Sequence, residues 1–295
     1  MGNPPFSPSA LLCSESGSGL NDEGDDFTLI SGEDEDEDDE YIQVLLHKET
    51  SINGGFPNLD LSQAENESWI QEARSDTIHY ILKTGGAFGF GMRTVHLSIT
   101  YLDRFLSRRT IDRERWWAIR LLGIACLSLA AKMEESRVPA LTEYPPPMEN
   151  LFTFESTLIQ RMELLVLNTL DWKLRFITPF SFTPYFLSKF ITPHSHMHRK
   201  SSILSTTMDI IFNAIRDAKL MSHMPSVLAA AATLLALDGG LVKEGMEVIM
   251  SALPSGGCLN IDDVFWCYKK MKELERDKKE FPKNCGLKRK RSDDT

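Results

Sequence analysis

The chain has 295 residues, 42% apolar and 25% charged, and its 42 acidic against 32 basic side chains leave a formal net charge of −10. This is the composition of a soluble globular protein, and no repeat or low-complexity bias points to a fibre. The longest uncharged apolar stretches, Leu121–Ala131 and Val227–Leu237, fall short of the ~20 residues that cross a bilayer, and no apolar run follows Met1, so membrane spanning and secretion are not expected.

The charge is unevenly placed. Residues 1–40 carry 13 of the acids and no Lys or Arg, which leaves 29 acids against 32 bases in the remainder. The acidic balance therefore describes a tail, and the body lacks the strongly basic footprint of a nucleic-acid binder. Rich in Pro, Ser, Gly and acid, residues 1–40 cannot bury enough surface to offset their ordering entropy and read as a disordered acidic tail.

After the tail the dominant period is helical. Val95, Ile99, Leu102 and Leu106 form an i, i+4, i+7, i+11 stripe, and Leu158, Met162, Leu165 and Thr169 repeat it. Helices are predicted over 40–49, 65–83, 92–107, 113–135, 154–170, 179–191, 200–219, 224–238, 243–252 and 261–277. Gly85-Gly86 with Gly89 and Gly91 reads as a helix stop, Pro145–Pro147 as a break, Thr178-Pro179 as an N-cap with Pro at the first helical position, and Asp238-Gly239-Gly240 as a terminator.

The expected fold is all-α, in two groups of about five helices divided near residue 176. Residues 41–176 form the first unit, 177–277 the second and 278–295 a short basic tail. Leu121–Ala131 is apolar nearly all round and is expected at the centre of the first group, with the Ala-rich Val227–Leu237 at the centre of the second.

Catalytic patterns are missing. Gly89-Phe90-Gly91 continues as Met92-Arg93-Thr94, which is neither dinucleotide fingerprint nor P-loop. His194, His196 and His198 alternate without an accompanying Cys or carboxylate motif, so an exposed linker is favoured over a metal site. The five cysteines, Cys13, Cys126, Cys258, Cys267 and Cys285, are odd in number and form no Cys-x-x-Cys, as expected of reduced thiols in a nuclear or cytosolic protein. No enzymatic activity, metal or other cofactor is expected.

Leu11-Leu12-Cys13-Ser14-Glu15 lies in the acidic tail. In an extended chain Leu11, Cys13 and Glu15 project to one side, ready to enter a groove. The peptide resembles the Leu-x-Cys-x-Glu motif that binds the pocket of retinoblastoma-family proteins, and the downstream acids suit a basic rim.

Leu121–Glu135 with its terminal Lys132-Met133-Glu134-Glu135, then Ile159–Trp172, then Thr178–Phe182, together resemble the cyclin box of plant D-type cyclins. The resemblance is strong over 40–185 and looser to about 275. It implies two tandem five-helix cyclin folds and a non-catalytic subunit that activates a cyclin-dependent kinase. It further implies that Lys132 and Glu163 contact the kinase, that the tail motif recruits a retinoblastoma-related protein for phosphorylation at the G1/S transition, and that inhibitors of such kinases are a further partner class.

Asp103 sits beside the apolar stripe of its helix, where an unpaired carboxylate is costly. The resemblance supplies Arg74 as its partner and gives the two a structural role. One segment departs from the family. Where many cyclins have Met-Arg-Ala-Ile-Leu and then Trp, this chain has Ala73-Arg74-Ser75-Asp76-Thr77 and then Tyr80, so the groove that docks Arg-x-Leu peptides becomes wetter and the case for such docking weakens.

Lys288-Arg289-Lys290-Arg291 reads as a nuclear localisation signal, placing the protein in the nucleus with a cytoplasmic pool. Two other functions share some of these features. A TFIIB-like transcription factor also has tandem cyclin folds, but no zinc ribbon precedes this box; a non-activating adaptor would hold the retinoblastoma-related protein and would not need Lys132 and Glu163.

Overall fold

The computed structural model describes residues 35–53, 67–145, 154–191, 197–251, 253 and 259–280. Among them there is no strand, and none of the helices is long and apolar enough to cross a membrane. The helices are α1 (Glu35–Asn53), α2 (Glu67–Phe88), α3 (Met92–Arg108), α4 (Trp117–Glu134), α5 (Ser156–Thr169), α6 (Thr183–Phe190), α7 (Met197–Ala214), α8 (Ala218–Met221), α9 (Pro225–Leu237), α10 (Lys243–Met250) and α11 (Ile261–Glu280). Short 3-10 turns at Arg113–Arg115 and Pro179–Ser181 precede α4 and α6 where single longer helices are predicted. Thr178 does occupy the N-cap of the second turn, although its side chain makes no capping bond.

Two apolar cores organise these helices. In the first, α2, α3 and α5 surround α4, every residue of which from Leu121 to Ala131 is buried. The second wraps α6, α7 and α11 around α9, whose run of alanines Ala229–Ala232 is wholly buried and lets neighbouring helices approach closely. Large side chains from the surrounding helices, Phe182, Phe186, Ile211 and Tyr268 among them, fill the second core around those alanines.

Three features correct the sequence reading. The acidic tail ends earlier than expected: Glu35–Glu40 is the first part of α1. Although α1 comes first in the chain, its inward Ile42 and Leu45 pack in the second core, not the first. Gly85 and Gly86 do not stop α2 but lie inside it; a Cβ on Gly85 would come within 2.9 Å of Val95 Cγ2, so the glycine permits close contact with α3. The stop is Gly89, whose φ of +74° glycine adopts freely.

The single helix predicted over 200–219 divides into α7 and α8. Asp217 caps α8, its Oδ1 accepting the N–H groups of Lys219 at 2.8 Å and Leu220 at 3.3 Å. The backbone carbonyls left over at the end of α7 are taken by an arginine from the first core, described below.

Candidate kinase-binding site

Lys132 lies in the last turn of α4, where a cation complements the negative end of the helix dipole. Its Nζ donates to both carboxylate oxygens of Glu163 on α5, at 2.7 and 2.8 Å. The two halves differ in exposure: the Lys132 side chain is 43% exposed and that of Glu163 only 8%. The buried carboxylate thus holds a cation at the protein surface, with remaining N–H donor capacity available to a partner.

Large apolar side chains stand exposed on the same two helices and their ends, among them Met133, Val138, Leu164 and Trp172. Trp172, the most open of these at 63%, sits just beyond α5 with Asp171, both in the left-handed backbone region at φ of +60° and +54°. Side chains rarely adopt that conformation, and here the surroundings hold it. Arg108 donates to the Thr169 carbonyl at 2.6 Å and to Asp171 Oδ2 at 2.8 Å, and Trp172 Nε1 donates to Asn168 Oδ1 at 3.2 Å. The bond from Arg108 keeps the Asp171 carboxyl below its ordinary range. Sequence reading missed Trp172 as a surface feature, because in a periodicity pattern an exposed tryptophan looks like a core residue.

Arg74 of α2 and Asp103 of α3 meet in a buried, two-point ion pair, Nε to Oδ1 at 2.6 Å and an NH2 nitrogen to Oδ2 at 2.8 Å. Burial opposes the Arg74 charge, and Asp103 more than reverses that, holding the guanidinium firmly protonated. The same group donates to the carbonyls of Ile215 at 3.3 Å and Arg216 at 3.1 Å. It therefore joins the first core to the end of α7.

Of the residues in the altered groove segment, Asp76 is exposed and faces Arg120 at 3.6 Å, Thr77 is buried with its hydroxyl on the Ala73 carbonyl at 2.7 Å, and the Tyr80 hydroxyl donates to the Pro145 carbonyl at 2.9 Å. Leu11, Cys13, Glu15, His194, His196 and Lys288–Arg291 lie outside the described residues, and His198 falls in the first turn of α7. Cys126 and Cys267 are free buried thiols, and burial pushes both up, Cys267 to about 12. No cluster of three or more His, Cys, Asp or Glu suited to a metal occurs among the described residues.

Among the described residues the chain is all-helical, with two cores around two buried central helices, and solved cyclin structures share this fold. A viral cyclin from herpesvirus saimiri superimposes with a TM-score of 0.60 at 13% identity, covering 79% of this chain and 97% of that one. A chain of the CAK complex of Chaetomium thermophilum bound to ATP-gamma-S gives 0.54 at 14% identity, covering 81% and 74%. At such identities these likenesses speak for the fold alone.

Residues 40–175 match the cyclin N-terminal domain. Cyclin-D5-1 of Arabidopsis thaliana is 34% identical over an alignment 295 positions long that covers 96% of this chain and 88% of that protein. Cyclin-D5-1 of rice is 43% identical over 205 residues, 69% of this chain and 55% of that protein, so the match spans little more than half of the rice relative. Cyclin-D1-1 of Arabidopsis is 36% identical over 216 residues, 72% and 62% respectively. The chain belongs to the plant D-type cyclins.

Proposed function

We propose that this D-type cyclin is the non-catalytic regulatory subunit of a cyclin-dependent kinase, engaging it through Lys132 and Glu163. The observation that carries the proposal is the surface ammonium of Lys132 seated on the buried Glu163 carboxylate, at 2.7 and 2.8 Å, amid exposed apolar side chains. A charged pair of this kind gives a partner orientation and register, while the apolar surroundings give it contact area. The mechanism is positional: the cyclin packs on the kinase helix that carries a glutamate, completing that residue's ion pair with the ATP-binding lysine. All phosphoryl-transfer chemistry belongs to the kinase.

The tail motif Leu11, Cys13 and Glu15 extends the proposal to recruitment of a retinoblastoma-related protein, whose phosphorylation promotes passage from G1 into S phase. Binding such a substrate on the same chain raises its local concentration at the active kinase. Lys288–Arg291 serves nuclear entry in this reading, and alanines there should leave the protein in the cytoplasm.

The test is a kinase assay on a pocket-containing retinoblastoma fragment with wild type, Lys132→Ala/Glu163→Ala and Cys13→Ala. The double variant should lose activation with every kinase that wild type activates, and Cys13→Ala should be impaired mainly on the pocket substrate. Full activation by the double variant would overturn the site; pocket binding with no kinase activated by wild type would leave an adaptor.

A further inference from the structure

Helix α3 begins at Met92 with Gly91 as its N-cap, and no local side chain caps it. The first N–H groups of a helix need acceptors, and a carboxylate there also complements the dipole. The acceptor comes from the far end of α4. Glu135, the residue that closes α4, accepts through Oε1 the Gly91 N–H at 2.9 Å and the Thr94 hydroxyl at 2.5 Å. Its own N–H donates to the Ala131 carbonyl at 2.9 Å, so Glu135 is bonded to α4 and α3 at once.

The last turn of α4 is consequently held at two points, by Glu163 of α5 through Lys132 and by the start of α3 through Glu135. We propose that Glu135 is a positioning residue, locking the end of α4 to α3 and thereby holding Lys132 on Glu163 in the geometry a kinase engages. The kinase clause rests on the function proposed above; the locking does not.

A helix cap and a positioning tie can be separated experimentally. Gly91 has the extended φ of −65° and ψ of 159° usual for an N-cap, and a Cβ there meets nothing closer than Glu135 Oε1 at 3.9 Å. Gly91→Ser therefore supplies α3 with a cap of its own without rebuilding the tie to α4. The coupling between Lys132 and Glu163 is read in the free protein by double-mutant cycles in urea, in wild type, Glu135→Ala and Gly91→Ser/Glu135→Ala backgrounds. It should fall to roughly half or less in both Glu135→Ala backgrounds, even though Gly91→Ser recovers the melting temperature. Coupling that is unchanged, or that returns with the new cap, overturns the proposal and leaves Glu135 a cap alone.

Kinase affinity supplies the second readout. Glu135→Ala should weaken binding about tenfold, Glu135→Gln, which keeps the accepting oxygen, much less, and Glu135→Ala should add nothing in a Lys132→Ala background. Binding that needs Lys132 but ignores Glu135 also overturns the proposal. If Lys132→Ala and Glu163→Ala bind like wild type while the coupling still falls, the kinase reading fails and the lock stands.

Discussion

Arg74 and Asp103 hold one another in a buried fork, and the same guanidinium reaches the carbonyls of Ile215 and Arg216, 141 and 142 residues along the chain. The pair ties the end of α7, whose Ile210 and Ile211 pack in the second core, to the first core that it closes. Arg74→Ala strips a buried carboxylate of its cation and leaves two carbonyls at the end of α7 without that donor, so it should destabilise the protein by about 3–5 kcal/mol. Arg74→Lys should recover little, since an ammonium cannot make the fork. Urea unfolding of both variants checks this; a loss under about 1 kcal/mol in Arg74→Ala would remove the pair from the architecture.

Gly123 lies in the buried stretch of α4 directly beneath Thr77 of α2. A Cβ there would sit 2.4 Å from Thr77 Cγ2, a distance no real contact shows. Gly123→Ala should therefore cost about 1–3 kcal/mol of overpacking despite alanine's better helix propensity. Thr77→Ser, which removes the clashing methyl and keeps the hydroxyl bond to Ala73, should restore most of it in the double variant. Additive losses in thermal unfolding would contradict the contact.

Much of this architecture is legible in local pattern. The all-round apolar character of Leu121–Ala131 foretells a central helix, and the Val95, Ile99 and Leu102 stripe foretells the inner face of α3. What local pattern lacks is the identity of the neighbour. Gly85 reads as a helix stop until Val95 is placed against it, and α1 reads as part of the first unit until Asp39 and Glu49 meet Tyr185 and Ser226, 146 and 177 residues away. Lys132 and Glu163 show the same limit: a cation at a helix end and a carboxylate in an apolar run are ordinary features singly. Only family likeness singles them out in the sequence, and only the fold brings them together across 31 residues.

Glu49 anchors α1 to the second core. One carboxylate oxygen accepts the Ser226 N–H in the first turn of α9 and the other the Ser226 hydroxyl, each at 2.7 Å. Burial pushes the Glu49 carboxyl above its ordinary value of 4.5, outweighing the two Ser226 bonds that pull it down. A carboxyl raised in the folded state stabilises below its unfolded value, and that contribution is lost as the pH rises through the folded one. Glu49→Gln keeps an acceptor for the N–H without the buried charge, so its stability relative to wild type should improve from pH 4 to pH 7. Glu49→Ala leaves a buried N–H unpaired and should cost about 1–3 kcal/mol, with early proteolytic release of α1. Urea titrations across that range decide it; a Glu49→Gln advantage that shrinks toward neutrality would mean the charge itself is favourable.

His96 carries the opposite sign. Its ring lies fully inside α3's packed face, edge-on to Phe180 of the second core at 5.6 Å, with Nε2 bonded to nothing. Burial lowers it from 6.5 to about 4. The unfolded chain therefore takes up a proton near pH 6.5 that the folded one refuses until about pH 4, so stability present above 6.5 is lost across that window. At 1.36 kcal/mol per pKa unit the loss approaches ~3 kcal/mol at its lower end. Replacement by an apolar residue of similar bulk, His96→Leu, should flatten that part of the pH profile whatever it does to stability at pH 7. A profile between pH 6.5 and 4 that keeps its slope in His96→Leu would assign the acid sensitivity to other groups.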